Sequence, residues 1–192
     1  MRNFAALWAL MLAACTSGEP QPPLAGAPIG GPFTLTSHEG QKVSNADFDG
    51  RYRLIYFGYS FCPDVCPVDM QHLGAGLKRF ERHAPERADK VQPIFITIDP
   101  ERDDPEALAE FVANFHPRLV GLTGTVEQIE AVADDYKIYY RKAGDPGAEN
   151  YLMDHSRMAM LFGPEGEPIT MVPAGRGQGP EAVAETLDTW VG

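Results

Sequence analysis

A chain of 192 residues with 44% apolar and 22% charged side chains can bury one real core, and it is too apolar to stay disordered. Its formal net charge of −11 repels phosphate backbones and argues against nucleic acid as a partner. Such an acidic surface serves solubility by default and suits a basic protein or a cation as ligand.

Arg2 and the eleven apolar residues from Phe4 to Ala14 read as a secretory leader. The run is too short to span a bilayer, which takes about 20 residues. It closes on Leu12-Ala13-Ala14-Cys15, which resembles the lipobox of bacterial lipoproteins. The resemblance implies that residues 1–14 are a lipoprotein signal peptide and that the Cys15 thiol carries a diacylglycerol. The domain would then face the exported, periplasmic side of a bacterial envelope, held by a two-chain anchor. An ordinary leader with a chance cysteine is the alternative. Residues 15–32 follow as anchor and tether. Five prolines and four glycines between 16 and 32 predict a semi-extended segment, with a reach of roughly 50 Å at about 3 Å per residue.

The folded domain is expected over 33–192. Phe33–Thr36 alternates as an edge strand, with a turn at His38–Gln41 and a partner strand near Val43, an N-terminal hairpin. Arg53–Phe57 is a continuous apolar run, typical of a strand covered on both faces. Met70, Leu73, Leu77 and Phe80 recur at helical spacing. A second buried strand, Pro93–Ile98, stops at Asp99-Pro100. Asp104 and Pro105 make an N-cap and first helical residue for a helix to about Phe115. Thr125 and Gln128 form a capping box for a helix at 126–136. Strands follow at Ile138–Arg141, Met158–Phe162 and Ile169–Val172, the last two joined by a turn at Gly163–Glu167. Pro180 opens a closing helix with Val183, Leu187, Trp190 and Val191 on one stripe. This order predicts an α/β three-layer sandwich with a central mixed sheet and the added N-terminal hairpin.

Three cysteines are present, and with Cys15 lipidated only Cys62 and Cys66 remain. Export permits a disulfide, but a bridge closing so small a loop would stabilise little. The pair lies where a buried strand runs into a helix, at the strand end where open α/β sheets bind ligands. Unpaired N–H groups at a helix start favour thiolates, and side chains four apart share one side of the turn. Two soft thiolates suit Cu(I); a plain disulfide or two buried thiols remain equally open. His72, about 240° around the helix from Cys66, cannot share a metal with it. His38, His83 and His116 read as solvated. Met70, Met158 and Met160 fit core stripes better than a ligand role.

Three stretches, FGYSFCPDVCP at 57–67, DPERDDPE at 99–106 and DHSRMAMLFGPEG at 154–166, with Tyr139-Tyr140-Arg141-Lys142 upstream, resemble the Sco/SenC family of copper-delivery proteins for cytochrome c oxidase. The resemblance implies a thioredoxin-like fold and one copper per chain held by Cys62, Cys66 and His155. The thiolates would satisfy Cu(I), and the imidazole makes Cu(II) acceptable too. It also implies an upstream copper donor and transfer to the binuclear site of oxidase subunit II. Asp99, from the second motif, is expected near the cysteines, orienting His155 or shaping a partner surface; a turn or capping aspartate is the alternative. The rival activity is a thiol–disulfide oxidoreductase using Cys62 and Cys66. Against it stand the C-x3-C spacing, Phe61 where thioredoxins carry tryptophan, and Met153–Ser156 without the proline thioredoxins place there. A peroxidase would need one reactive thiolate, whereas this pair looks symmetric. A redox-sensing module stays open.

Overall fold

The computed structural model describes residues 20–144 and 151–192. The leader and Cys15 lie outside the described residues. β1 (Thr34–Ser37) and β2 (Lys42–Ser44) form the expected hairpin. β3 (Tyr52–Gly58) leads into α1 (Val65–His83), a short α2 (Pro85–Ala88) and β4 (Val91–Thr97). α3 (Pro105–Val112), β5 (Val120–Thr123) and α4 (Val126–Asp135) follow. β6 (Tyr140–Ala143), β7 (Leu152–His155), β8 (Ala159–Phe162), β9 (Pro168–Val172) and α5 (Pro180–Trp190) complete the chain.

Seven strands form one mixed sheet in the order β2-β1-β5-β4-β3-β8-β9. Its centre, β3, β4 and β5, is parallel because helices make the crossovers. The flanking strands are antiparallel. Alternation along β3 sends neighbouring rings to opposite faces. Tyr56 stacks with Phe95, and Phe95 packs on Phe111 of α3 at 5.0 Å. Phe57 instead meets Tyr136, just past α4, at 5.5 Å, and Tyr136 packs on Phe162. The stripe Met70, Leu73, Leu77 and Phe80 is buried, as its spacing requires. α5 crosses α1 at Gly76, where a Cβ would come within 2.5 Å of the Val183 Cβ; only glycine allows this approach.

The structure departs from the expected elements at several places, and α2 and the four-residue β5 are elements that the sequence pattern does not announce. α3 ends at Val112, not Phe115, because the Asn114 amide donates to the carbonyls of Glu110 and Phe111 and closes the helix. Ile138 is not in a strand. Lys137 turns to φ 58°, and the Ile138 N–H returns to the Ala133 carbonyl as a helix cap. The strand begins two residues later and pairs with the unforeseen β7 in a separate two-stranded sheet. Part of the proline- and glycine-rich stretch is packed rather than free. Leu24 N–H donates to Ile169 O, Gly30 N–H donates to Asp135 O, and Ile29 rests on the core.

Two histidines expected to be solvated are not. His116 is buried beside Glu81, at 3.2 Å, and accepts the Arg118 N–H on Nδ1. His38 is half-buried and accepts the Gly121 N–H, tying the hairpin turn to β5. His83 is exposed, and His72 is bonded to the Ala174 carbonyl. Among the described residues no helix is long and apolar enough to cross a membrane.

Candidate functional site

β3 ends at Gly58, and after a six-residue loop α1 begins at Val65 with Pro67 in its first turn, where a missing N–H costs nothing. Gly58 makes room for the site: a Cβ there would stand 3.1 Å from Cys66 Sγ and 2.9 Å from the Tyr56 ring. Cys66 is fully buried, Cys62 nearly so, and both are free thiols. The Cys66 backbone N–H donates to Cys62 Sγ at 3.4 Å.

The two thiols are not alike, contrary to the symmetric reading of the sequence. Hydrogen bonding from the Cys66 thiol and from the backbone N–H groups of Cys66 and Asp64 outweighs burial and lowers Cys62 to about 3. Cys66 moves the other way, because it donates to the Cys62 thiolate and is itself buried. The helix start therefore stabilises one thiolate, on Cys62, and its neighbour keeps its proton.

His155, the last residue of β7, brings Nε2 to 3.4 Å from Cys66 Sγ. Its Nδ1 lies 3.0 Å from the Ser156 carbonyl. A carbonyl can only accept, so Nδ1 carries the proton and Nε2 turns its lone pair toward the sulfur. The Tyr59 ring meets the imidazole edge-on at 6.0 Å, and its hydroxyl accepts the Met153 N–H, fixing β7 over the cysteine loop.

Asp99 is buried near the cysteine loop, but it bonds Arg102 and Tyr151 rather than His155. Arg102 Nε donates to Oδ2 and the Tyr151 hydroxyl to Oδ1, both at 2.6 Å. The oriented guanidinium then lies 3.7 Å over the Tyr151 ring and 5.0 Å from Phe61. Nor does Asp99 cap α3; Asp104 does, accepting the Ala107 N–H.

Three groups were not foreseen from the sequence. Asp103, fully buried, accepts from Ser60 N–H, Ser60 Oγ and Thr97 Oγ1, and so pins the loop two residues before Cys62. Its signal lay inside the 99–106 motif. Tyr59 lay inside the 57–67 motif. Asp69, a carboxylate in the apolar stripe of α1, binds Tyr56 and Arg157.

The site offers two sulfurs and an imidazole nitrogen with its lone pair free. A first-row metal ion at about 2.0–2.3 Å from each donor leaves neighbouring donors roughly 3.3–4 Å apart, which the Cys66–His155 separation of 3.4 Å meets. The donors are neighbours rather than a closed cage, and among the described residues no three His, Cys, Asp or Glu side chains form one.

Residues 21–192 match the SCO1/SenC family. The chain belongs to that family. It is 42% identical over 139 residues to the human mitochondrial protein SCO1 homolog, covering 72% of this chain and 46% of that protein. This SCO1/SenC chain thus spans about half the length of the curated relatives it matches. Among solved structures, Bradyrhizobium japonicum ScoI with copper bound superposes with a TM-score of 0.75 at 34% identity, over 84% of this chain and 99% of that one. The thioredoxin domain of a Bacteroides vulgatus thiol–disulfide oxidoreductase, 15% identical, matches 88% of this chain and 98% of its own with a TM-score of 0.59. The fold is thioredoxin-like, with Cys62 in the loop between β3 and α1 and Cys66 in the first turn of α1.

Proposed function

We propose that this SCO1/SenC chain binds one copper ion through Cys62, Cys66 and His155 and delivers it to the binuclear copper site of cytochrome c oxidase subunit II. One observation carries the reading: His155 Nε2 faces Cys66 Sγ at 3.4 Å while Nδ1 is held on the Ser156 carbonyl. That contact joins a histidine from the small sheet to a cysteine pair at the junction of β3 and α1, a donor set soft enough for Cu(I) and acceptable to Cu(II). The copper-bound relative of similar fold supports it. The Cys62 thiolate is the first donor to incoming copper. Cys66 releases its proton on binding, since ligating cysteines are deprotonated. The cargo is received from an upstream donor on the exported face of the envelope, where a lipid on Cys15 holds the domain.

A second reading is favoured by the unequal thiols. The Cys62 thiolate attacks a partner disulfide, forming a mixed disulfide and releasing one partner thiolate. Cys66 then passes its proton toward His155 and attacks Cys62 Sγ, which expels the second partner thiolate and leaves a Cys62–Cys66 disulfide. The partner is thereby reduced by two electrons and this chain oxidised by two.

Anaerobic copper titration with X-ray absorption and EPR, on the wild type and on Cys62→Ser, Cys66→Ser and His155→Ala, tests the first reading. One copper per chain with two sulfurs and one nitrogen is expected, each variant losing its donor. Unchanged stoichiometry and coordination in all three variants would sink the assignment. Mass spectrometry of membrane-extracted protein tests the anchor; a mature N-terminus other than a diacylated Cys15 removes it.

A further inference from the structure

Asp69 is an expensive residue where it stands. It lies in α1, three residues beyond Cys66, with 2% of its surface exposed, between the core residues Cys66 and Met70. A buried carboxylate costs stability unless donors surround it, and an apolar residue there would pack more cheaply. Its Oδ2 accepts from the Tyr56 hydroxyl at 2.9 Å and from Arg157 Nε at 3.3 Å, and its Oδ1 from Arg157 Nη2 at 2.8 Å. Arg157 stands two residues beyond His155, in the link from β7 to β8. The other bonds at this point, Ser156 N–H to Tyr139 O and Tyr139 N–H to Ser156 Oγ, hold the chain to the small sheet and not to the cysteine helix.

Granting the copper site above, we propose that Asp69 and Arg157 are positioning residues, a two-pronged clamp that holds His155 against the cysteine helix. The clamp acts on the histidine and leaves the cysteines where the core puts them. Cu(I) is content with two thiolates, whereas Cu(II) depends on the imidazole. The pair therefore governs how well the oxidised ion is held relative to the reduced one.

The test compares wild type, Arg157→Gln and Arg157→Lys, each loaded with copper alone, by Cu(I) competition titration, Cu(II) titration and EPR. Arg157 is about one-third exposed, so the substitutions fall at the rim of the fold. In Arg157→Gln the Cu(II) affinity is expected to fall about tenfold or more, the scale of losing a ligand's support, with nitrogen coupling weakened and Cu(I) affinity within about threefold of wild type. Arg157→Lys, which keeps the charge but not the two-pronged fork, should fall between. Wild-type values for both ions in Arg157→Gln overturn the clamp. Equal losses for Cu(I) and Cu(II) in both folded variants also overturn it, because the pair would then hold the cysteines.

Failure of the copper reading is separable. His155→Ala binding Cu(II) as wild type does would remove the histidine from the site. The clamp is then read without metal, by amide hydrogen exchange. Faster exchange at 153–158 in the apo Arg157→Gln protein supports it, and unchanged exchange refutes it.

Discussion

The cysteine half and the histidine half of the site are built differently. Cys62 and Cys66 sit where β3, an inner strand of the sheet, runs into α1, the longest helix among the described residues, and Cys66 is walled in by Gly58, Tyr56 and Phe95. His155 ends a strand of a two-stranded sheet outside the main one, and it reaches the cysteines through a few side-chain bonds. The core that folds the protein also fixes the cysteines. The histidine is held by polar contacts at the periphery, each worth a modest amount. A site built this way can keep two donors fixed while the third is adjusted, which suits the proposed uptake and release of copper.

The sharpest way to break the fixed half is to remove Asp103. Asp103→Ala leaves the half-buried Ser60 N–H and Oγ and the buried Thr97 Oγ1 without their acceptor. An unsatisfied buried donor costs about 1–3 kcal/mol and a half-buried one less, so about 2–3 kcal/mol of global stability should be lost in urea unfolding. A loss under about 1 kcal/mol would mean the loop before Cys62 is held by something else. Tyr59→Phe strikes the junction between the halves. It strips the acceptor from the buried Met153 N–H and should cost about 1–2 kcal/mol. Amide exchange should quicken in β7 and stay unchanged in α1; equal change in both would erase the distinction drawn here.

The unequal thiols give a pH test within the cysteine half. With Cys62 lowered to about 3, the reduced apo protein should react with iodoacetamide at Cys62 at a rate nearly flat from about pH 5 to 8, and about tenfold faster than at Cys66. Mass spectrometry of the alkylated peptide reads both rates. Because the folded value lies below that of the unfolded thiol, the thiolate's contribution to stability is full above the unfolded value and fades as pH falls toward about 3. Cys62→Ser should remove that part of the pH dependence. A rate at Cys62 that climbs steadily through pH 8 would return the pair to equality.

The same division decided what the sequence could reveal. A strand covered on both faces and a helix with a strict stripe announce themselves by composition, so β3, β4 and α1 were legible and carried Cys62 and Cys66 with them. β7 was not. Four residues alternating exposed and buried, as Leu152 to His155 do, are too short to separate from a loop by period. His155 was legible only through the resemblance of its motif. Asp69, Asp103 and Tyr59 escaped for another reason: a buried polar residue reveals its role only when its partners, as far as 94 positions away, are brought beside it.

The smallest effect is expected where the histidine arm meets solvent. Arg141 and Asp154 face each other across the β6–β7 ladder, with a bond of 3.0 Å and side chains 65% and 52% exposed. Water and salt screen such a pair, and its net worth is about 0–1 kcal/mol. Arg141→Gln should therefore leave global unfolding within about 0.5 kcal/mol of wild type, and the small difference should vanish in about 1 M salt. The variant still bears on the comparison, because Asp154 precedes His155. If the arm is held by its inward bonds, Tyr59 to Met153 and Asp69 to Arg157, then Cu(II) coordination in Arg141→Gln is that of the wild type. A weakened imidazole signal in this variant would mean that the register of the exposed hairpin, and not its ties to the cysteine body, sets the position of the histidine.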